Sequence, residues 1–184
     1  MTEKDGRRVE IRPAEPEDAA ALCSIYRPYV EKTAVSFEYE VPSEMEFKRR
    51  IEAVRARWPY LVLEEAGRVL GYAYAAAFHE RAAYAHCVET SIYLSEEARG
   101  RGLGRLLHDA LIRCLRERGF LNVYACIAVP REEKDPYLTR QSMEFHAHLG
   151  YRTVGSFKSC GLKFGRWYDM VYMELLLGPH EDAA

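Results

Sequence analysis

Arg99-Gly100-Arg101-Gly102-Leu103-Gly104-Arg105 stands between two segments of different rhythm, and its reading decides the fold. Before it, Tyr84 to Leu94 reads as a long strand. After it, Leu103, Leu106, Leu107, Ala110, Leu111, Cys114 and Leu115 step by three and one, the spacing of one helix face. Glycines in alternation let the backbone approach a ligand closely and adopt conformations closed to other residues. A helix that starts there turns its unpaired N–H groups and the positive end of its dipole onto the loop. With the arginines added, a pyrophosphate is the natural occupant. Glycines alone would also suit a solvated strand-to-helix turn; the coincidence of strand, glycines, arginines and helix favours the phosphate.

The loop fits neither common nucleotide signature. A dinucleotide fingerprint reads G-x-G-x-x-G, whereas this loop reads G-x-G-x-G, and Phe120 to Tyr124 offers no acidic residue for a ribose. A P-loop needs G-K-[ST], and here Arg105 follows Gly104.

Outward from the loop, helices come early and strands dominate later. Val9 to Arg12 reads as a first strand. Pro16 opens a helix with acidic Glu17 and Asp18 in its first turn and Ala19, Leu22, Cys23 and Tyr26 at core spacing. Ser43 and Glu46 form a capping box for a second helix with Phe47, Ile51 and Val54 on its apolar face. Tyr60–Glu65 and Val69–Ala77 read as strands around the Ala66-Gly67-Arg68 turn. Gly119 closes the helix after the loop. Leu121–Val129 is a strand suited to a central place, Thr139–Leu149 a short helix ended by Gly150, and Tyr151–Lys158 and Met170–Leu177 a closing pair. That order predicts a mixed α/β sheet with helices packed on it, not a repeating doubly wound fold. One domain over residues 9–177 is expected, with 1–8 and 178–184 as loose ends.

The 184 residues carry 26 Lys and Arg against 28 Asp and Glu, a net charge of -2, which argues against a nucleic-acid partner. No apolar run is long enough for a membrane span, and Met1–Arg8 is charged and lacks the apolar stretch of a signal peptide. Five scattered cysteines without a C-x-x-C pair read as reduced thiols in a cytoplasmic protein. His146 and His148, two apart, would point to different helix faces, so no metal is expected.

Arg99-x-x-Gly102-x-Gly104 after a strand and at a helix start resembles the coenzyme A signature of the GNAT acetyltransferases. Within them the chain is similar to the phosphinothricin and methionine-sulfone N-acetyltransferase group. The likeness runs from about Ile11 to Leu177. Tyr26-Arg27-Pro28-Tyr29-Val30 with Phe37, Val88-Glu89-Thr90-Ser91-Ile92-Tyr93-Leu94, the glycine loop, His146-Ala147-His148-Leu149-Gly150-Tyr151 and Gly161-Leu162-Lys163-Phe164-Gly165-Arg166-Trp167 carry it. The resemblance implies a sheet of about seven strands, splayed at the cofactor site and flanked by helices, and a homodimer. It implies acetyl-CoA as co-substrate, with backbone groups of Ile92, Tyr93 and Leu94 on the pantetheine arm and Gly100 to Arg105 around the pyrophosphate.

Acetyl transfer needs a neutral amine, so a base must remove a proton. Glu89, a carboxylate in an otherwise apolar and hydroxyl-lined strand just before Ile92, is the candidate, and the resemblance implies the same role. His146, four residues after Ser142, stands where the phosphinothricin group has a histidine and many GNAT enzymes a tyrosine that protonates the leaving thiolate. The family's usual Asn, three residues before Ser142, is Thr139 here, a departure that leaves one hydroxyl to remake the cofactor contact. Arg81, with Phe37 and Tyr84 as apolar walls, is the acceptor-side candidate for an acidic, small-molecule amine. Two other readings fit the same signature: a peptide or protein N-acetyltransferase, and an acyl-CoA-binding module without catalysis.

Overall fold

The helix after the glycine loop, α3 (Leu103–Glu117), buries Leu103, Leu107, Ala110, Leu111 and Leu115 as its spacing predicts. Its N-cap is Gly102, at φ 72 and ψ 8, a left-handed conformation that glycine adopts without penalty. Gly119, at φ 77, follows its C-terminus.

The computed structural model describes residues 2–4 and 7–181. They group into two compact units. The first holds residues up to 28, 41–76 and 91–118. Its sheet runs β1 (Thr2–Lys4), β2 (Arg7–Pro13), β3 (Tyr60–Glu65) and β4 (Arg68–Ala77, as far as 76), each antiparallel to the next. The turn between β3 and β4 has φ 50 at Ala66 and 78 at Gly67, the mirror-image geometry that matches strand twist. Thr2–Lys4 belongs to the stretch read as a loose end; the side of the chain beyond 181 falls outside the described residues.

Besides α3, two helices begin in this unit, α1 (Ala19–Glu31, to Pro28) and α2 (Glu44–Arg55). Pro16 starts a 3-10 turn, Pro16–Asp18, which leads into α1. Only half of the Ser43 capping box forms. Ser43 Oγ accepts the Glu46 N–H at 3.2 Å, but the Glu46 carboxylate bonds Arg49 and Arg50, which hold its pKa down at about 2. Buried Tyr72 is the centre of a ring cluster with Phe47, Tyr60, Tyr74 and Tyr93, at centroid distances of 6.3, 6.0, 6.4 and 5.2 Å.

The second unit holds residues 29–40, 77–90 and 119 onward. Its strands are the first part of β5 (Cys87–Leu94), then β6 (Asn122–Val129), β8 (Arg166–Leu176) and β7 (Arg152–Lys163), in that spatial order. β5 and β6 are parallel; β6–β8 and β8–β7 are antiparallel, so the sheet is mixed. The β5–β6 register runs from Cys87↔Asn122 to Glu89↔Tyr124 and stops there, although both strands continue. The short helix α4 is Gln141–His148.

Several elements differ from the sequence reading. The long strand begins at Cys87, not Tyr84, because Ala82–Tyr84 closes a 3-10 turn in which the Ala85 N–H donates to the Ala82 carbonyl. The closing strands extend to meet at a two-residue turn, Phe164–Gly165, with φ 50 and 70. Eight strands are described against about seven expected, the additional one being Thr2–Lys4.

Candidate active site

Strand alternation gives the second unit's sheet two unlike faces. Val88, Thr90, Val123, Ala125, Ile127, Val171 and Met173 form the buried one. Cross-strand pairing puts Glu89 with Tyr124 and Glu174, and Cys126 with Tyr172, on the other. That second face is apolar and aromatic around Glu89, with Glu174 a second carboxylate that accepts the Tyr124 hydroxyl at 3.0 Å.

Glu89 Oε2 accepts the Tyr172 hydroxyl at 3.2 Å. Phe78 stacks on Tyr124 at 4.3 Å and meets Tyr172 and Tyr84 edge-on at 6.0 and 5.8 Å. The His79 ring lies 4.9 Å from Tyr84. Burial raises the pKa of Glu89, and the Tyr172 bond and nearby His79 oppose the rise. Cys126 shares this face, 2.8 Å from Met170 Sδ, and burial with Glu89 beside it pushes its thiol up to about 11. A thiol held protonated is a poor nucleophile, so it does not compete with an amine for an acyl group.

His146 belongs to the opposite face. It is buried, its Nδ1 lies 2.7 Å from the Ser142 carbonyl, and its ring meets Tyr151 edge-on at 5.1 Å. Tyr151 in turn hydrogen-bonds Thr90, a residue of the buried face. The carbonyl contact makes Nδ1 the protonated nitrogen of the neutral ring. Ser142 is half-buried and exposed Thr139 accepts the Gln141 N–H at 3.4 Å, so its hydroxyl opens α4.

The structure gathers Tyr84 with Glu89's aromatic surround, but Phe37 and Arg81 have other neighbours. The Phe37 ring packs on Gly161 and lies 6.2 Å from Tyr168. Arg81 is exposed, and its carbonyl accepts the Tyr84 N–H. Tyr172, Tyr124 and Cys126 stand around Glu89, and the sequence reading passes over them. Their signal is the alternation Tyr124-x-Cys126 and Met170-x-Tyr172, polar or aromatic positions opposite the aliphatic ones.

The glycine loop lies in the first unit. Gly100 and Gly102 both have φ 72, and no side chain caps α3, so its first-turn N–H groups face the loop. A Cβ at Gly100 would meet nothing within 4 Å, which is open space beside that backbone. This is the donor set a pyrophosphate takes. Arg99 and Arg105 are exposed, Arg105 3.8 Å from Asp109. Arg101 is turned to Glu65 in an ion pair, so its side chain anchors the loop to β3. Leu103 and Gly104 are buried in the helix. Ahead of the loop, Ile92, Tyr93 and Leu94 are half-buried; the Tyr93 ring joins Tyr26 at 5.0 Å, and the Ser95 N–H bonds the Leu70 carbonyl. A cavity of about 710 Å³ in this unit is lined by Arg12, Ser24, Arg68, Ser95, Glu97 and Arg99 among others. Two of its arginines are paired within it, Arg12 with Asp18 and Glu64, and Arg68 with Glu97. Among the described residues no group of three His, Cys, Asp or Glu side chains is placed to hold a metal ion, and no helix is long and apolar enough to cross a membrane.

Comparison with known proteins gives this geometry its context. The profile of the Acetyltransferase (GNAT) domain matches residues 11–172. A phosphinothricin N-acetyltransferase of Streptomyces viridochromogenes is 36% identical over 168 residues, 91% of this chain and 87% of that one. An L-methionine sulfoximine/L-methionine sulfone acetyltransferase of Pseudomonas aeruginosa is 32% identical over 94% of this chain and 97% of its own. The crystal structure of a GNAT superfamily phosphinothricin acetyltransferase from Sinorhizobium meliloti in complex with acetyl-CoA superposes with a TM-score of 0.82 at 37% identity, covering 92% of this chain and 89% of that one. The chain therefore belongs to the GNAT acetyltransferase family and is an acetyl-CoA-dependent N-acetyltransferase.

Proposed function

We propose that the chain acetylates the primary amine of a small amino-acid-like molecule and that Glu89 is the base. The carrying observation is the Glu89 carboxylate itself, half-buried in an aromatic surround and tied to Tyr172 through one oxygen. An amine reaches neutral water as an ammonium, which has no lone pair to attack a carbonyl. Glu89 takes its proton, and the upward push on its pKa makes it a better base near neutral pH than a solvated glutamate. Acetyl-CoA supplies the acetyl group as a thioester. Gly100 to Arg105 hold its pyrophosphate through backbone N–H groups, with Arg99 and Arg105 contributing charge, and Ile92, Tyr93 and Leu94 pair with its pantetheine arm. Ser142 and Thr139 complete the cofactor contacts. His146 serves as the acid for the departing thiolate in its doubly protonated form: Nδ1–H stays on the Ser142 carbonyl and the Nε2 proton goes to sulfur.

The acceptor class rests on the relatives, whose names give phosphinothricin and methionine sulfoximine or sulfone as substrates. Arg81 recognises the acidic end of the acceptor, and Tyr84 and Phe37 its apolar part. The two units act together as one catalytic domain in a cytoplasmic homodimer. A peptide or protein acceptor is the competing reading. One assay separates them: thiol release from acetyl-CoA with methionine sulfone, methionine sulfoximine, phosphinothricin and a set of peptides. The proposal expects turnover with at least one amino-acid analogue and none with peptides. Turnover with peptides alone, or acetyl-CoA binding without transfer to any amine, would overturn it.

A further inference from the structure

Glu89 and Tyr172 lie two strands apart, with β6 between them. Neighbouring strands are about 4.8 Å apart, so the pair must bridge roughly 10 Å between backbones. A tyrosine reaching one way and a glutamate the other can span that distance; a serine or threonine at 172 could not. The residue opposite Tyr172 on the intervening strand is Cys126, small enough for the tyrosine to pass over it. Rings stand on either side of Tyr172, Phe78 edge-on at 6.0 Å and Phe157 at 6.2 Å, so the hydroxyl has a defined position. It donates to Oε2 and leaves Oε1 to other partners.

We propose that Tyr172 is the positioning residue of the base: its hydroxyl fixes one oxygen of Glu89 so that the other is presented to the amine. This rests on the reading of Glu89 as the base. The titratable groups on the carboxylate's face are Tyr172 from β8, His79 from the β4–β5 connection, Cys126 and Tyr124 from β6, and Glu174 of β8, which takes the Tyr124 hydroxyl, with Cys160 acting on Cys126. Of these, Tyr172 bonds the carboxylate directly, and a hydrogen bond to the charged form favours that form.

The test is the pH profile of kcat with L-methionine sulfone, or whichever analogue the parent turns over, for the parent, Tyr172→Phe and Glu89→Gln. Tyr172→Phe should lower kcat about tenfold at pH 7, in the range of a misplaced acid or base. Its acid limb should move to higher pH, so that much of the loss is recovered by pH 9, with the KM for acetyl-CoA unchanged. A loss equal at every pH, or parental kcat with an unmoved limb while Glu89→Gln is impaired, would overturn the proposal. Parental turnover by Glu89→Gln would instead remove the base reading and this proposal with it. Should Tyr172→Phe not fold, 3-fluorotyrosine at position 172 keeps shape and bond with a more acidic hydroxyl. The acid limb should then move to lower pH, and an unmoved limb would contradict the role.

Discussion

Lys163 is only 2% exposed, an unusual state for a lysine. Its Nζ donates to the Thr33 carbonyl at 2.9 Å and the Ser36 carbonyl at 2.6 Å and lies 5.1 Å from the centre of the Phe164 ring. Burial lowers its pKa, so the two carbonyls are what keep an ammonium there tolerable. Next to it, a Cβ on Gly161 would come within 2.2 Å of the Phe37 ring, so that ring can lie there only on a glycine. The Tyr39 hydroxyl bonds the Leu162 carbonyl. Three successive hairpin residues therefore hold the segment that carries Phe37. Lys163→Met keeps most of the volume but leaves two carbonyls without their donor. It should cost ~2–3 kcal/mol in a denaturant titration, the range for bonds to a charged group. Unchanged stability would show that the bonds contribute nothing net. The Gly161–Trp167 run was legible only as a family resemblance. Residues more than a hundred positions away satisfy the lysine, and no local pattern announces that.

At the scale of elements, the sequence was most legible where one periodicity ran unbroken. α3 and β6 lie within a residue of their expected bounds because their apolar spacing admits one rhythm each. Legibility failed where local chemistry competes. Ala82-Ala83-Tyr84 suits a strand or a turn equally, and the glycines at 161 and 165 interrupt strand rhythm inside what is one long hairpin. Likewise, Glu89 could be singled out within its strand, but its aromatic neighbours come from other strands, and register is a property of pairing. The glycine loop was legible as the turn that starts a helix, though Arg101's commitment to Glu65 was not. The loop also yields the element-scale prediction. Gly102 has φ 72, and valine there would be strained while its side chain intrudes where backbone should meet phosphate. Gly102→Val should weaken acetyl-CoA binding at least ~10-fold by calorimetry, since it removes the close backbone approach on which the site depends. Parental affinity in a variant with a native circular dichroism spectrum would contradict the assignment.

For the molecule as a whole, the family profile spans residues drawn from both compact units, as expected if the two act as one catalyst. The closing hairpin leaves Val154, Phe157, Leu162 and Trp167 between 42% and 50% exposed, whereas Tyr168 and Val171 are in the core. Phe164, at the hairpin's turn, is exposed as well. Such a surface suits an isologous contact. Light scattering at micromolar concentration should give twice the 21.2 kDa chain mass, and Trp167→Glu should halve it; a monomeric parent would refute the contact.

The account stands or falls on Glu89 as the base. The most direct measurement is kcat for the parent and Glu89→Gln from pH 6 to 9, with acetyl-CoA affinity determined alongside. Glutamine keeps shape and hydrogen bonding but cannot take a proton, so kcat should fall ~10²-fold or more at neutral pH. The deficit should shrink as pH rises and more of the amine is already neutral, while acetyl-CoA affinity stays close to parental. Equal turnover of the two proteins between pH 6 and 8 would contradict the account and make Glu89 a structural carboxylate.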